Sequence, residues 1–262
     1  MRKLGKKQHE DNTAFQATWD NIVRIVSRAD TEKLVHEAAD EITRVTKGKR
    51  VGYAWSGGKD SQALRVVCEM AGINSCVLGM SHDLEYPEFL QWVTDEMPAG
   101  LDVISNEALT LDWLSKNQNM LFPQDSQTAA KWFRLIQHRS QRIFYKRYNL
   151  GVLVLGRRHQ DSNYTGKDGT GIYTDAKNVT RYSPIRFWTH EQVLAVCYYY
   201  GMNMPPFYSW PNGWVVGTGC WPARQWTGNT QRAWSEVAQI DPTIVQKAAS
   251  YLPSARAFVG GV

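Results

Sequence analysis

Cysteine is scarce and scattered. The 262-residue chain has four, Cys68, Cys76, Cys197 and Cys220, and no two stand in a C-x-x-C pair. That spacing argues against a zinc ribbon and against the local four-cysteine pattern of an iron–sulfur protein. Long apolar runs are missing too, since no stretch reaches the roughly 18 to 20 residues a membrane helix needs. The basic start, Met1-Arg-Lys-Leu-Gly-Lys-Lys7, leads into no apolar segment. No secretory signal is therefore expected, and the thiols are expected to stay reduced in a cytoplasm. Neither sign of charge dominates: 30 Lys and Arg face 25 Asp and Glu, a formal net charge of +5. That mild excess suits an anionic ligand such as a nucleotide without requiring one. Hydrophobic residues at 43% and charged residues at 21% exclude a disordered chain. A chain of this length buries a core without disulfide staples. Tryptophan, by contrast, is plentiful. Of 11, six (Trp188, Trp210, Trp214, Trp221, Trp226 and Trp234) fall in the last third.

Residues 1–13 are polar and read as a loose arm. Phe15, Trp19, Ile22, Val23 and Val26, then Val35, Ala38, Ala39, Ile42 and Val45, repeat at helical spacing and predict helices over 14–28 and 31–47. Short apolar runs at Val51–Trp55, Cys76–Met80, Leu101–Ile104 and Val152–Leu155 predict buried strands. Helical stretches at 60–70, 88–96 and 127–148 separate them. This alternation predicts an α/β fold with a doubly wound, mostly parallel sheet and helices on both faces. Ligands then gather along the C-terminal edge of the strands. Residues 160–180, rich in Gly, Asp, Ser and Asn, read either as a mobile loop beside the site or as a surface excursion. Thr189-x-x-Gln192 is a capping box opening a helix to Tyr200. A helical pair over 230–251 closes the chain. Three parts follow: helices over 1–47 packed on the core, a nucleotide-binding α/β domain over 48–205, and a small aromatic-rich tail over 206–262.

Chemistry concentrates at Val51-Gly-Tyr-Ala-Trp-Ser-Gly-Gly-Lys-Asp-Ser61. A hydrophobic strand ends in Ser-Gly-Gly and runs straight into a helix. The first N–H groups of a helix lack internal partners, and its dipole favours an anion there. Ser56 and Ser61 add hydroxyls and Lys59 a positive charge. The arrangement asks for phosphate; the alternative is a glycine turn capped by Ser and Asp. It is neither G-x-x-x-x-G-K-[ST] nor G-x-G-x-x-G.

The stretch resembles the pyrophosphate loop (SGGxDS) of the adenine-nucleotide α-hydrolase superfamily. Ser81-His-Asp-Leu-Glu-Tyr-Pro-Glu88, Gly156-Arg-Arg-His-Gln-Asp-Ser162 and Tyr182-Ser-Pro-Ile-Arg-Phe-Trp-Thr-His-Glu-Gln-Val193 resemble, in order and spacing, segments of the phosphoadenosine phosphosulfate (PAPS) reductase-like family. The likeness covers about residues 50–210. Two departures stand out. Lys59 within the loop resembles the ATP-using branch, such as ATP sulfurylase small subunits. The reductases' catalytic Glu-Cys-Gly-Leu-His tail is replaced by Val216-Gly-Thr-Gly-Cys220-Trp.

The resemblance implies that Ser56, Gly57, Gly58, Lys59, Asp60 and Ser61 bind nucleotide phosphates. Asp83, Gly156, Arg157 and Arg158 join them. Lys59 and Arg157 assist catalysis, Asp60 binds Mg²⁺, and Asp161 orients an arginine. The plainer alternatives are a dipole-pairing Asp60 and a solvated arginine pair. Cys220 reads either as a reachable nucleophilic thiol or as a small residue packed under Trp221. Cys68, Cys76 and Cys197 read as core. Lys131, Arg134, His138, Arg139, Arg142, Lys146 and Arg147 read more readily as a solvated basic face than as a nucleic-acid track. The expected function is cleavage of ATP between its α and β phosphates to adenylylate an acceptor in sulfur metabolism or transfer. ATP is the substrate, with Mg²⁺ and no iron–sulfur cluster. The alternatives are a thiol-dependent reductase of PAPS or adenylyl sulfate using Cys220, and a non-catalytic nucleotide-binding module. A sulfur-donor or thioredoxin-like partner and a homo-oligomer are the expected associations, with no membrane partner.

Overall fold

The computed structural model describes residues 3–167, 169–224 and 229–260. Two compact units share the chain. The first lies within Met1–Leu78, Glu96–Val103 and Gln141–Pro205; the second lies within Gly79–Asp95, Ile104–Ser140 and Pro206–Val262.

The first unit opens with α1 (Asn12–Asp20), α2 (Ile22–Ile25) and α3 (Arg28–Val45). Asp11 caps α1 by accepting from the Ala14 N–H at 2.8 Å, and Ser27 caps α3. One helix was expected over 14–28. The chain breaks at Asn21, whose backbone leaves helical geometry between α1 and α2. Next come β1 (Val51–Ala54), α4 (Lys59–Met70) and β2 (Ser75–Ser81), and then α5 (Pro87–Glu96) and β3 (Gly100–Asn106). After α6 (Leu111–Lys116), the expected helix over 127–148 is α7 (Ser126–Phe133) and α8 (Arg139–Arg147) joined through a π-turn at Arg134–His138. The first unit resumes with β4 (Val152–Val154), β5 (Ile172–Thr174), β6 (Thr180–Tyr182) and α9 (His190–Tyr199).

The sheet runs in the order β3-β2-β1-β4-β6-β5. β1 pairs in parallel with β2 and β4, β4 pairs in parallel with β6, and β5 pairs antiparallel with β6. Alternation along β1 serves two helices. Gly52 faces α8, where a Cβ would come within 2.7 Å of the Phe144 ring, while Tyr53 turns to the other face, toward Cys68 of α4. The expected mostly parallel α/β sheet with helices on both faces is therefore the observed one. Strand order reverses between β1 and β4, and such a switch point leaves a crevice at the strand C-termini.

Two sequence expectations need correction. Residues 160–180 are not one loop, because β5 and the start of β6 form a hairpin there. The strands are only three residues each, too short for a period-2 signal to rise above the surrounding glycines. The arm is not loose from residue 3 onward. Leu4 is buried, its N–H donates to Glu191 Oε1 at 2.6 Å, and its carbonyl accepts from Gln160 Nε2 at 2.8 Å. Met1 and Arg2 lie outside the described residues.

The second unit is aromatic. Tyr86, Phe89, Phe207 and Trp210 interlock, with centroids 4.4 Å apart for Tyr86–Trp210 and 4.5 Å for Phe89–Phe207. Trp234 lies between Phe122 at 5.0 Å and Trp221 at 5.6 Å. The unit finishes with α10 (Gly213–Val216), α11 (Thr230–Ile240) and α12 (Pro242–Ala249). Trp210, Trp214, Trp221 and Trp234 are buried in it, while Trp226 lies outside the described residues. No helix among the described residues is long and apolar enough to cross a membrane.

Candidate functional site

β1 hands over to α4 through a turn built by its side chains. The Trp55 N–H still donates to the Val77 carbonyl, and its indole N–H donates to Gln62 Oε1, each at 2.9 Å. Gly57 then takes a left-handed φ of 75°, open to glycine at little cost. Gly58 stands at the N-cap of α4 with no side chain to cap the helix. The Ser61 hydroxyl donates to the Gly58 carbonyl at 2.9 Å and accepts from the Ser56 N–H at 3.1 Å, pinning the loop from inside. The Ser56 hydroxyl lies 3.2 Å from it. Among the described residues, the Gly57 and Gly58 amides have no hydrogen-bond acceptor. They stand at the positive end of a 12-residue helix.

Beside this loop lies a buried charge cluster. Lys59 Nζ contacts both Asp60 oxygens, at 2.8 and 3.0 Å. Arg158 is fully buried; its Nε donates to Asp60 Oδ1 at 2.7 Å and its Nη2 reaches Asp161 Oδ2 at 2.8 Å. Nη1 donates to the Trp188 carbonyl at 2.9 Å, and Nη2 lies 2.9 Å from His190 Nδ1. An arginine only donates, so Nδ1 accepts and the His190 proton sits on Nε2. Burial and the Lys59 and Arg158 cations lower the His190 pKa to about 2, so the ring stays neutral. His190 Nε2 and Asp161 Oδ1 face each other at 4.0 Å, both buried and without a hydrogen bond. Burial opposes ionisation of Asp60, but Arg158 and Lys59 overcome it and hold the carboxyl well below its ordinary range.

Gly156 is where the end of β4 meets the loop: a Cβ there would stand 2.9 Å from the Asp60 carbonyl oxygen. Ser56, Gly57, Gly58, Lys59, Asp60, Ser61, Gly156 and Arg158 thus come together at the C-terminal ends of β1 and β4. Arg158 is no solvated strand-end arginine, since its guanidinium is locked among two carboxylates, a carbonyl and an imidazole. Asp161 is the second of those carboxylates. Arg157 diverges, donating to the Tyr173 hydroxyl at 2.8 Å on β5. Lys59 and Asp60 are turned toward each other. Asp60 has both oxygens engaged by cations, a poor donor set for a divalent metal.

Asp83 and Cys220 belong to the second unit. Asp83 Oδ1 is buried without a partner. Cys220 is 1% exposed, and burial, followed by the Glu85 carboxylate, pushes its thiol well above the ordinary range. Glu85 is itself buried and accepts from the Ser81 N–H and hydroxyl at 2.8 and 2.7 Å. Cys220 therefore fits the packed residue under Trp221 rather than a ready nucleophile. Cys68, Cys76 and Cys197 are buried. On the basic face, Arg139 donates to the Ser105 carbonyl at 3.1 Å and Arg147 pairs with Asp102 at 2.7 Å.

Sequence reasoning missed Lys7, Gln160 and His190. Gln160 Oε1 accepts from the His190 N–H at 2.6 Å and from Arg158 at 3.3 Å, tying the cluster to Leu4. His190 had a signal: it is the first residue of the helix opened by the Thr189 capping box, which forms as expected.

Residues 50–225 match the family model described as the phosphoadenosine phosphosulfate reductase domain. No curated protein matches the chain. Among solved structures, the chain is similar to a phosphoadenylyl-sulfate reductase from Candida auris in a phosphate complex, at 12% identity and TM-score 0.47, covering 70% of this chain and 92% of that one. It is also similar to an FMN adenylyltransferase from Candida glabrata with FMN and an ATP analogue, at 13% identity and TM-score 0.45, covering 75% and 70%. A third likeness is to the U34-tRNA thiolase NcsA from Methanococcus maripaludis with its [4Fe-4S] cluster, at 12% identity and TM-score 0.44, covering 88% and 80%. Likenesses this remote carry no argument about activity. The thiolase does overturn one expectation. ATP with Mg²⁺ and without an iron–sulfur cluster cannot be taken as the cofactor set of this fold, because a protein with a similar chain path carries such a cluster.

Proposed function

The chain belongs to the phosphoadenosine phosphosulfate reductase domain family, and from that premise we propose that it is an enzyme that holds an adenine nucleotide by its phosphates and transfers the adenylyl group. An acceptor oxygen or sulfur forms a bond to the α-phosphorus, the α–β bridging P–O bond breaks, and pyrophosphate leaves with the electron pair. The observation that supports this best is the pair of Gly57 and Gly58 amides at the head of α4, without an acceptor among the described residues, beside the Lys59–Asp60–Arg158 cluster. Fixed N–H donors aimed at developing negative charge contribute a few kcal/mol each, roughly 2.7–4 where measured. The Arg158 lattice holds the charges in place, so little reorganisation opposes the step. Sulfur transfer as the setting comes from the family alone.

Burial of Cys220 weighs against the thiol-reductase reading. The deciding experiment incubates the protein separately with α-labelled ATP, PAPS and adenylyl sulfate. Pyrophosphate release and a labelled adenylyl product from ATP are expected. Reduction of PAPS or adenylyl sulfate that vanishes in Cys220→Ser would overturn the proposal, and binding without cleavage would favour a sensing module.

A further inference from the structure

The charge cluster contains one cation more than its partners use. Lys59 is taken by Asp60, and Arg158 is taken by Asp60 and Asp161. Glu191, a further buried carboxylate nearby, accepts from the Leu4 N–H. Lys7 remains. It sits in a single 3₁₀ turn, Lys7–His9, packed against the turn His159–Asp161 that carries Gln160 and Asp161. Its ammonium is partly buried and forms no hydrogen bond or ion pair with any described residue. Its surroundings are electropositive. Burial and the Lys59 cation, and more weakly Arg158, lower its pKa to about 8, against the opposing pull of Asp161 and Asp60.

The segment is held in place rather than resting there. Glu191 grips the Leu4 N–H and Gln160 grips the Leu4 carbonyl, and the same Gln160 also touches Arg158 and the His190 N–H. A chain segment clamped by two hydrogen bonds at Leu4, delivering a cation unpaired among the described residues beside a phosphate-type loop, is built for an anion that arrives from outside.

We propose that Lys7 is a substrate-binding residue of the phosphate site, its ammonium taking the phosphates of the nucleotide that lie beyond the α-phosphate. This rests on the nucleotide reading above. The role assigned from sequence to Lys59 is thereby shared: Lys59 is tucked against Asp60, and Lys7 supplies the charge still available to a ligand.

The test is calorimetric titration of the full chain with α,β-methylene-ATP and, separately, with AMP. It uses the wild type, Lys7→Ala, Lys7→Gln and Lys7→Arg, with melting curves to confirm that each variant is folded. Lys7→Ala and Lys7→Gln are expected to weaken α,β-methylene-ATP by about 10-fold or more, the effect of one charge-assisted contact. AMP should stay within about 2-fold in the same variants, and Lys7→Arg should keep most of the affinity for both. A purely structural role for the segment would weaken AMP as much as the analogue, and that outcome overturns the inference. Unchanged affinity for the analogue in Lys7→Gln also overturns it, while leaving the nucleotide reading intact. If the wild type binds neither compound, both fall together.

Discussion

The two units solve the problem of a stable interior in opposite ways. The first buries charge: Lys59, Asp60, Arg158, Asp161 and His190 meet within hydrogen-bond or ion-pair reach around the head of α4. The second buries rings: Phe122, Trp221 and Trp234 in one nest and Tyr86, Phe89, Phe207 and Trp210 in another, with one buried ion pair among its described residues, Arg224 to Glu236 at 2.6 Å. Rings gain from almost any close packing, so an aromatic interior tolerates inexact partners. Charges do not. Desolvation makes each one costly unless its partner is fixed in place, so a charged interior is a geometric commitment. Here the fold makes that commitment at the mouth of a parallel sheet, the place where the proposed function sets a ligand.

The comparison breaks most easily at Asp60. In Asp60→Ala, Lys59 and Arg158 lose their shared carboxylate while still buried. A loss of about 3–5 kcal/mol in denaturant unfolding is expected, together with adenylyl transfer below detection. A variant that kept its stability would show that solvent reaches the cluster freely. Trp234→Ala should cost about 3 kcal/mol or somewhat more through cavity formation, yet nucleotide affinity measured at low temperature should stay within about 2-fold. A matching loss of affinity would mean that the aromatic unit contributes directly to binding.

The contrast sharpens with pH. The folded protein holds His190 neutral, with a pKa of about 2, whereas an unfolded histidine titrates near 6.5. The unfolded chain therefore takes up a proton that the folded chain refuses. Stability is fully present above about pH 6.5 and declines as pH falls below it, by at most about 1.4 kcal/mol per pH unit. Urea midpoints at pH 5 and pH 7 should differ in that direction, and His190→Gln should flatten the difference. Asp60 acts only further toward acid, as its depressed pKa requires. The smallest effect is expected at Cys220, where serine should leave pyrophosphate release within about 3-fold. The native thiol should resist iodoacetamide until the protein unfolds; rapid alkylation would reopen the thiol chemistry.

Legibility followed the range of the interactions. The strand–Ser-Gly-Gly–helix turn, the Thr189 capping box and the glycine at 156 were readable because a few consecutive residues impose each one. The hairpin β5–β6 was not, because three-residue strands carry too little periodicity. Arg158 could be placed at the right edge, but not buried, because its partners Asp60 and His190 lie 98 and 30 residues away. Lys7 gave no signal at all. Its tract reads as solvated charge, and only the clamp from Glu191 and Gln160 turns that tract inward.

By itself, the order of residues settled the alternation of strands and helices, the sheet edge at which the Ser-Gly-Gly loop lies, and the chemical kind of that loop. These depend on periodicity and on backbone freedom within a few positions. Which cations are already matched, which is left over, and whether Cys220 meets solvent were decided only when distant segments packed together. Burial and pairing are properties of a neighbourhood in space, and the chain sequence leaves that neighbourhood open until the fold closes it.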